Sequence, residues 1–221
     1  YKAAWCQKQL EHDQDAIARY SQFVTDYPQS QYVTAAYFDM GAIYAKQKDY
    51  DNAQQNYQLA LENTNDPSLK QEIWREIARA YFEQEDFEKA ITAYETLINE
   101  YPENPYMQEI KLGIADSYFR LEKWDKAIEG YKRVIDEHPE DEMGVIPFSI
   151  YQIGEAYYQK EEYEQGLSWY QRVLDNYPDD AIAPHALYGA IWSLSELGRY
   201  EEVQELGEDF IAKKRQDPDF D

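Results

Sequence analysis

Along residues 71–102 the apolar positions fall into two helically spaced stripes separated by a short polar tetrad. Ile73, Ile77, Ala80 and Tyr81 make the first stripe; Phe87, Ala90, Ile91, Tyr94, Leu97 and Ile98 make the second. The intervening Glu83-Gln84-Glu85-Asp86 has room only for a tight helix–helix turn. The pattern predicts two antiparallel helices. Tyr101-Pro102 ends the second, because proline cannot continue a helix and restrains the residue before it.

The same skeleton recurs. Ala78, Tyr81, Ala90, Tyr94 and Leu97 reappear 37 residues upstream as Gly41, Tyr44, Ala53, Tyr57 and Ala60. They reappear 37 residues downstream as Ala115, Tyr118, Ala127, Tyr131 and Val134, closed by His138-Pro139. After a further 39 residues come Gly154, Tyr157, Gly166, Tyr170 and Val173, closed by Tyr177-Pro178. Small residues stand where paired helices must approach, since axes lie about 8–10 Å apart depending on contact size. The tyrosines are expected to fill the space beside them, with each hydroxyl reaching a polar edge. Tyr50, Phe87, Trp124 and Tyr163 open the second helices and are expected to wedge against the preceding turn.

In order, residues 1–28 hold the end of one helix (2–10) and a whole second helix (13–26). Repeats follow at 32–67, 70–102, 105–139, 147–178 and 181–215, giving one array over 1–221 of about five and a half units. The cut first unit suggests an array that once reached further N-terminal. No charged-then-apolar leader is visible in YKAAWCQKQL, and removal of one stays open. Residues 140–147 form a joint two residues longer than the others, with Pro147 suited to a first helical turn. In the last unit Ile191, Leu194, Val203 and Gly207 replace the small residue, Tyr, Ala and Tyr of the pattern, as terminal repeats commonly do. Lys213-Lys214-Arg215 suits a helix C-terminus.

Small-x2-Tyr, then Ala-x3-Tyr, then Pro resembles the tetratricopeptide repeat, whose usual period is about 34 residues. The resemblance implies an all-α, right-handed superhelical solenoid of antiparallel helix pairs. The longer period and the Tyr-Pro joints are similar to bacterial cell-envelope members of the Tol-Pal-associated and outer-membrane assembly type. That implies the periplasm or envelope; a cytoplasmic setting stays open.

Acids outnumber bases 44 to 21, for a formal charge of −23. Many sit where second helices begin (Asp49, Asp86, Asp125, Glu162, Glu201), offsetting the positive helix end. Their sum repels nucleic acid and anionic membrane and favours a basic partner. No run of 18 apolar residues exists to cross a membrane.

Chemistry is sparse. His12, His138 and His185 stand apart, and phosphate loops, nucleophile elbows and Cys-x2-Cys pairs do not occur. The lone Cys6 is expected as a small packing residue. No catalytic group, cofactor or metal site is expected, and the chain does not read as an enzyme.

In the family resembled, first helices line a concave face that holds an extended peptide. Carried onto this sequence, that face takes Phe38; then Arg75, Arg79 and Phe82; then Asp116 and Phe119; then Phe148, Tyr151, Glu155 and Tyr158; last Tyr188 and Trp192. Ala42, Ala45, Glu72, Glu109, Leu112 and His185 fall on the same faces, and packing against neighbouring units competes for each ring. The carboxylate clamp of the family's chaperone-binding members needs asparagines missing here, so Arg75 and Arg79 do not make one. The leading expectation is a non-catalytic scaffold for another protein's apolar, proline-bearing or basic segment. Self-assembly through end repeats, giving a homo-oligomer, and glycan or peptidoglycan-fragment binding on the rings are the alternatives.

Overall fold

The computed structural model describes residues 1–137 and 144–214. His138-Pro139, residues 140–143 of the long joint and Arg215 lie outside the described residues. Among those described there are twelve helices and no strand. The chain divides into two units, Tyr1–Ser117 and Tyr118–Asp221.

In the first unit α1 (Lys2–Gln9), α2 (Asp13–Asp26), α3 (Val33–Lys46), α4 (Tyr50–Glu62), α5 (Pro67–Glu83) and α6 (Phe87–Glu100) pack in chain order; α7 spans Met107–Arg120. The second unit holds α8 (Trp124–Glu137), α9 (Ile146–Gln159), α10 (Tyr163–Asn176), α11 (Ala183–Glu196) and α12 (Tyr200–Lys214), also packed in order. Within each unit some first helices of consecutive pairs touch directly, α3 with α5 and α9 with α11.

Each turn inside a pair is built the same way. Glu11, Lys48, Glu85, Glu122, Glu161 and Gly198 all have φ between 56° and 71°. The next backbone N–H then reaches back five residues: Asp49 to the Tyr44 carbonyl, Asp86 to Tyr81, Lys123 to Tyr118, Glu162 to Tyr157, each at 2.9 Å. This is a left-handed helix cap that satisfies carbonyls the helix leaves open. Asp49 and Asp86 go on to cap the second helix, accepting from the Asn52 and Lys89 backbone N–H groups at 3.3 Å. The acids expected at helix starts are therefore partly hydrogen-bonded caps. The opening aromatics meet a ring five residues back across the same turn: Phe82 with Phe87 at 5.3 Å, Phe119 with Trp124 at 5.0 Å, Tyr158 with Tyr163 at 5.3 Å.

In each unit the core is built of tyrosines seated on small residues. Tyr20, Tyr57, Tyr94, Tyr131 and Tyr170 are all buried. A Cβ placed on Gly41 would meet the Tyr57 ring at 2.6 Å, and one on Gly154 the Tyr170 ring at 2.7 Å. The same rings reach the following first helix. A Cβ on Gly113 would lie 2.6 Å from Tyr94, and one on Gly189 lies 2.5 Å from Tyr170. In α12 nothing lies within 4 Å of a Cβ on Gly207, where no core ring is needed. Cys6, expected in the packing, is exposed instead. On α1 only Ala4 is buried against the rest of the unit.

Burial is the largest cause pushing the phenols of Tyr20, Tyr57, Tyr94 and Tyr170 above their ordinary value, with neighbouring carboxylates adding to it. Above about pH 10 the unfolded chain releases these protons while the folded chain still holds them, so each further step in pH favours unfolding. Stability is therefore expected to be flat up to about pH 10 and to fall beyond it. Loss of far-ultraviolet circular dichroism should then coincide with the late, buried-tyrosine part of the tyrosinate absorbance rise. Ionisation of all tyrosines near pH 10 with helix intact would contradict this packing.

Candidate functional site

In the second unit α9 and α11 lie side by side with the Tyr170 ring of α10 behind them, leaving a cavity of about 530 Å³. That falls within the range of about 300–1,000 Å³ typical of ligand sites. Tyr151, Glu155 and Tyr158 line it from α9; His185, Tyr188 and Trp192 line it from α11. Helical spacing explains the sets: residues four and three apart share a face, as do His185, Tyr188 and Trp192.

Two kinds of ring surround the space. Tyr151 and Tyr170 are held by packing, with centroids 5.9 Å apart. Tyr188 and Trp192 meet each other at 6.2 Å yet remain 65% and 48% exposed. These two rings stand open at the mouth of the cavity.

The polar chemistry converges on Glu155. The Tyr170 hydroxyl donates to Glu155 Oε1 at 2.6 Å. Burial, then the charge and hydrogen bonding of Glu155, holds the Tyr151 phenol well above its usual value. For Tyr158 burial acts first, then Glu196 and Glu155. Burial and carboxylate charge thus both favour the protonated form of these phenols. Among the described residues Glu155 makes no ion pair, and neither lysine nor arginine lines the cavity.

The remaining sequence candidates are dispersed. Arg79, Phe82 and Asp116 meet around a smaller space of about 180 Å³ with Glu109, Leu112 and Gly113. Arg79 also borders a space of about 300 Å³ beside Ala42 and Ala45, and it pairs with Glu76 at 3.3 Å. Arg75 opens into neither; its guanidinium lies 4.1 Å from the Tyr106 ring centroid, and its buried Nε has no hydrogen-bond partner. Phe38 packs on Tyr57 at 5.8 Å, and Phe119 on Trp124 and Tyr131 within the second unit. Phe148 is partly buried on α9 and does not line the large cavity.

Sequence reasoning missed Gly189, Tyr170 and Pro184 as cavity-lining residues. A trace of Gly189 was present in the repeat. Residues 39, 76, 113, 152 and 189 share one register and read Asp, Glu, Gly, Gln, Gly. Asp39 fills its place and accepts from the Tyr20 hydroxyl at 2.6 Å. Gly189 has no side chain to place there; the Tyr170 ring takes that space, and both residues line the cavity.

Among the described residues no group of three or more His, Cys, Asp or Glu could hold a metal ion, and no helix is long and apolar enough to cross a membrane. Models of the tetratricopeptide repeat match residues 1–30 and 148–180, 32–103, and 75–142. No curated protein matches the chain. Solved structures of similar fold include a tetratricopeptide repeat protein from Parabacteroides merdae, at 18% identity over 96% of this chain and 77% of that one, TM-score 0.70. The MamA protein is 18% identical over 85% of this chain and 94% of its own, TM-score 0.66. YrrB, described as a TPR protein with an unusual peptide-binding site, is 17% identical over 83% and 87%, TM-score 0.61. At these identities the likeness is one of fold alone. Helix pairs in sequence order, the Tyr-on-small core and matches spread over most of the sequence agree: the chain belongs to the tetratricopeptide repeat family.

Proposed function

We propose that the chain is a non-catalytic scaffold that captures an extended segment of another protein, anchored in the cavity between α9 and α11. Repeats of this family typically bind other proteins and are generally not catalysts. The observation that carries the reading is the pair Tyr188 and Trp192, 65% and 48% exposed at the mouth of a cavity whose other rings are fixed. Rigid aromatic anchors of this kind dominate binding energy in protein interfaces. The peptide-binding site ascribed to YrrB gives a precedent on the same fold. The long period and Tyr-Pro joints support a bacterial cell-envelope setting as part of this reading.

The test is a random peptide library selected on the chain, followed by Tyr188→Ala with Trp192→Ala. Both rings are exposed, so their loss is expected to change stability by under about 1 kcal/mol. Affinity for selected peptides should fall at least about thirty-fold, the loss of a hot-spot pair. Peptides that bind the double variant unchanged would place capture elsewhere. Chromatographic retention by glycans, abolished in the same variant, would favour the saccharide alternative.

A further inference from the structure

We propose that this cavity, on the scaffold reading above, is a receptor for one basic side chain of the captured segment, arginine above all, with Glu155 as its counter-ion. Three observations converge on it. The first is the ring set: Tyr151, Tyr158, Tyr188 and Trp192 offer π faces or edges around one space, and Tyr170 closes its back. A cation held over such faces is attracted by the ring quadrupole, most strongly when desolvated.

The second is an unbalanced acid. Glu155 is partly buried, held by the Tyr170 hydroxyl at 2.6 Å, and makes no ion pair among the described residues. A carboxylate has about four lone-pair sites, so these phenols do not exhaust it. The third is contrast with the first unit. The two spaces described there contain their own cation: Arg79 borders both and pairs with Glu76, and Lys46 and Lys48 line the larger. In the second-unit cavity rings and acid meet with neither lysine nor arginine in the lining; its one imidazole, His185, meets the Tyr151 ring at 6.2 Å. The chain's formal charge of −23 draws basic segments toward it from solution.

Arginine suits the site better than lysine. Its planar guanidinium stacks on aromatic faces, is weakly hydrated and pairs with a carboxylate through two parallel N–H groups; the compact ammonium does none of these as well.

The test follows the Trp192 indole N–H by NMR during titration of the whole chain with N-acetyl-arginine methylamide and its lysine, citrulline and leucine counterparts. Arginine should shift Trp192 at the lowest concentration, with neutral citrulline needing at least about ten-fold more. Glu155→Gln keeps an oxygen for Tyr170 and should erase that advantage. Should this variant not fold, rising salt on the unaltered chain serves instead and should shrink the advantage.

Equal response to citrulline or leucine, an advantage that survives Glu155→Gln or salt, or no shift with arginine overturns the inference. The peptide library separates this from failure of the scaffold reading. Selected peptides that need Tyr188 and Trp192 but lack a basic residue overturn the cation receptor alone. A library with no peptide dependent on those rings overturns both.

Discussion

Tyr170→Ala is expected to cost the second unit about 3–5 kcal/mol, the usual price of deleting a large buried ring. The side chain is fully buried and lies between Gly154 and Gly189, whose own missing side chains leave nothing to collapse into the gap. Its hydroxyl is also a donor to Glu155 at 2.6 Å. Tyr170→Phe should therefore retain the packing yet cost about 1–3 kcal/mol, because a hydrogen bond to a carboxylate is lost. Against a typical domain stability of about 5–15 kcal/mol, the alanine change removes from about a fifth to all of it. Urea titration followed by circular dichroism measures both. A cost under about 1 kcal/mol for the alanine variant would mean that the ring is not the keystone of the α9–α10–α11 packing.

The second large effect is expected at Asp39 in the first unit. Its Oδ2 accepts from the hydroxyls of Tyr20 at 2.6 Å and Tyr1 at 3.2 Å, and its Oδ1 receives Lys8 Nζ at 2.5 Å. Asp39 is 8% exposed, and three side chains, Tyr1 before α1, Lys8 of α1 and Tyr20 of α2, converge on its desolvated carboxylate on α3. Asp39→Ala leaves the buried Tyr20 hydroxyl unpaired, and such an orphan costs about 1–3 kcal/mol. Lys8 is 28% exposed and can turn to water, so its loss adds less than a buried ion pair would. The total expected is about 2–4 kcal/mol. Asp39→Ala combined with Tyr20→Phe should cost less than the sum of the single changes, since the second removes the orphan that the first creates. Strict additivity in the double-mutant cycle would show that the two groups do not depend on each other.

Much of this fold is legible because the repeat reports every packing rule several times. Ala53, Ala90, Ala127 and Gly166 predict close helix approach, and all four are buried. Asp49 and Asp86 predict helix starts and are caps in the structure. The left-handed turn residues were harder to see. Five of the six are Glu or Lys where glycine is the easy choice, and only Gly198 announces the geometry. Burial of individual side chains on short helices was also hidden. Cys6 belongs to a helix with one buried residue, so its apolar character had nothing to pack on.

The candidate site shows the same division. His185, Tyr188 and Trp192 could be placed on one face with Tyr151, Glu155 and Tyr158 on another, because helical spacing fixes faces. Which faces enclose a space depends on how the Tyr170 ring seats between Gly154 and Gly189, and spacing along the chain does not show that. Arg75 makes the converse point. It shares a face with Arg79, but its long stem lets it reach the Tyr106 ring instead of solvent.

Hydrogen–deuterium exchange of the whole chain with and without a library-selected peptide tests the scaffold reading most directly. The expected result is protection concentrated in α9 and α11, over Tyr151–Gln159 and Pro184–Trp192, and absent when Tyr188 and Trp192 are both alanine. Protection confined to the first unit, or unchanged in that variant, would contradict it.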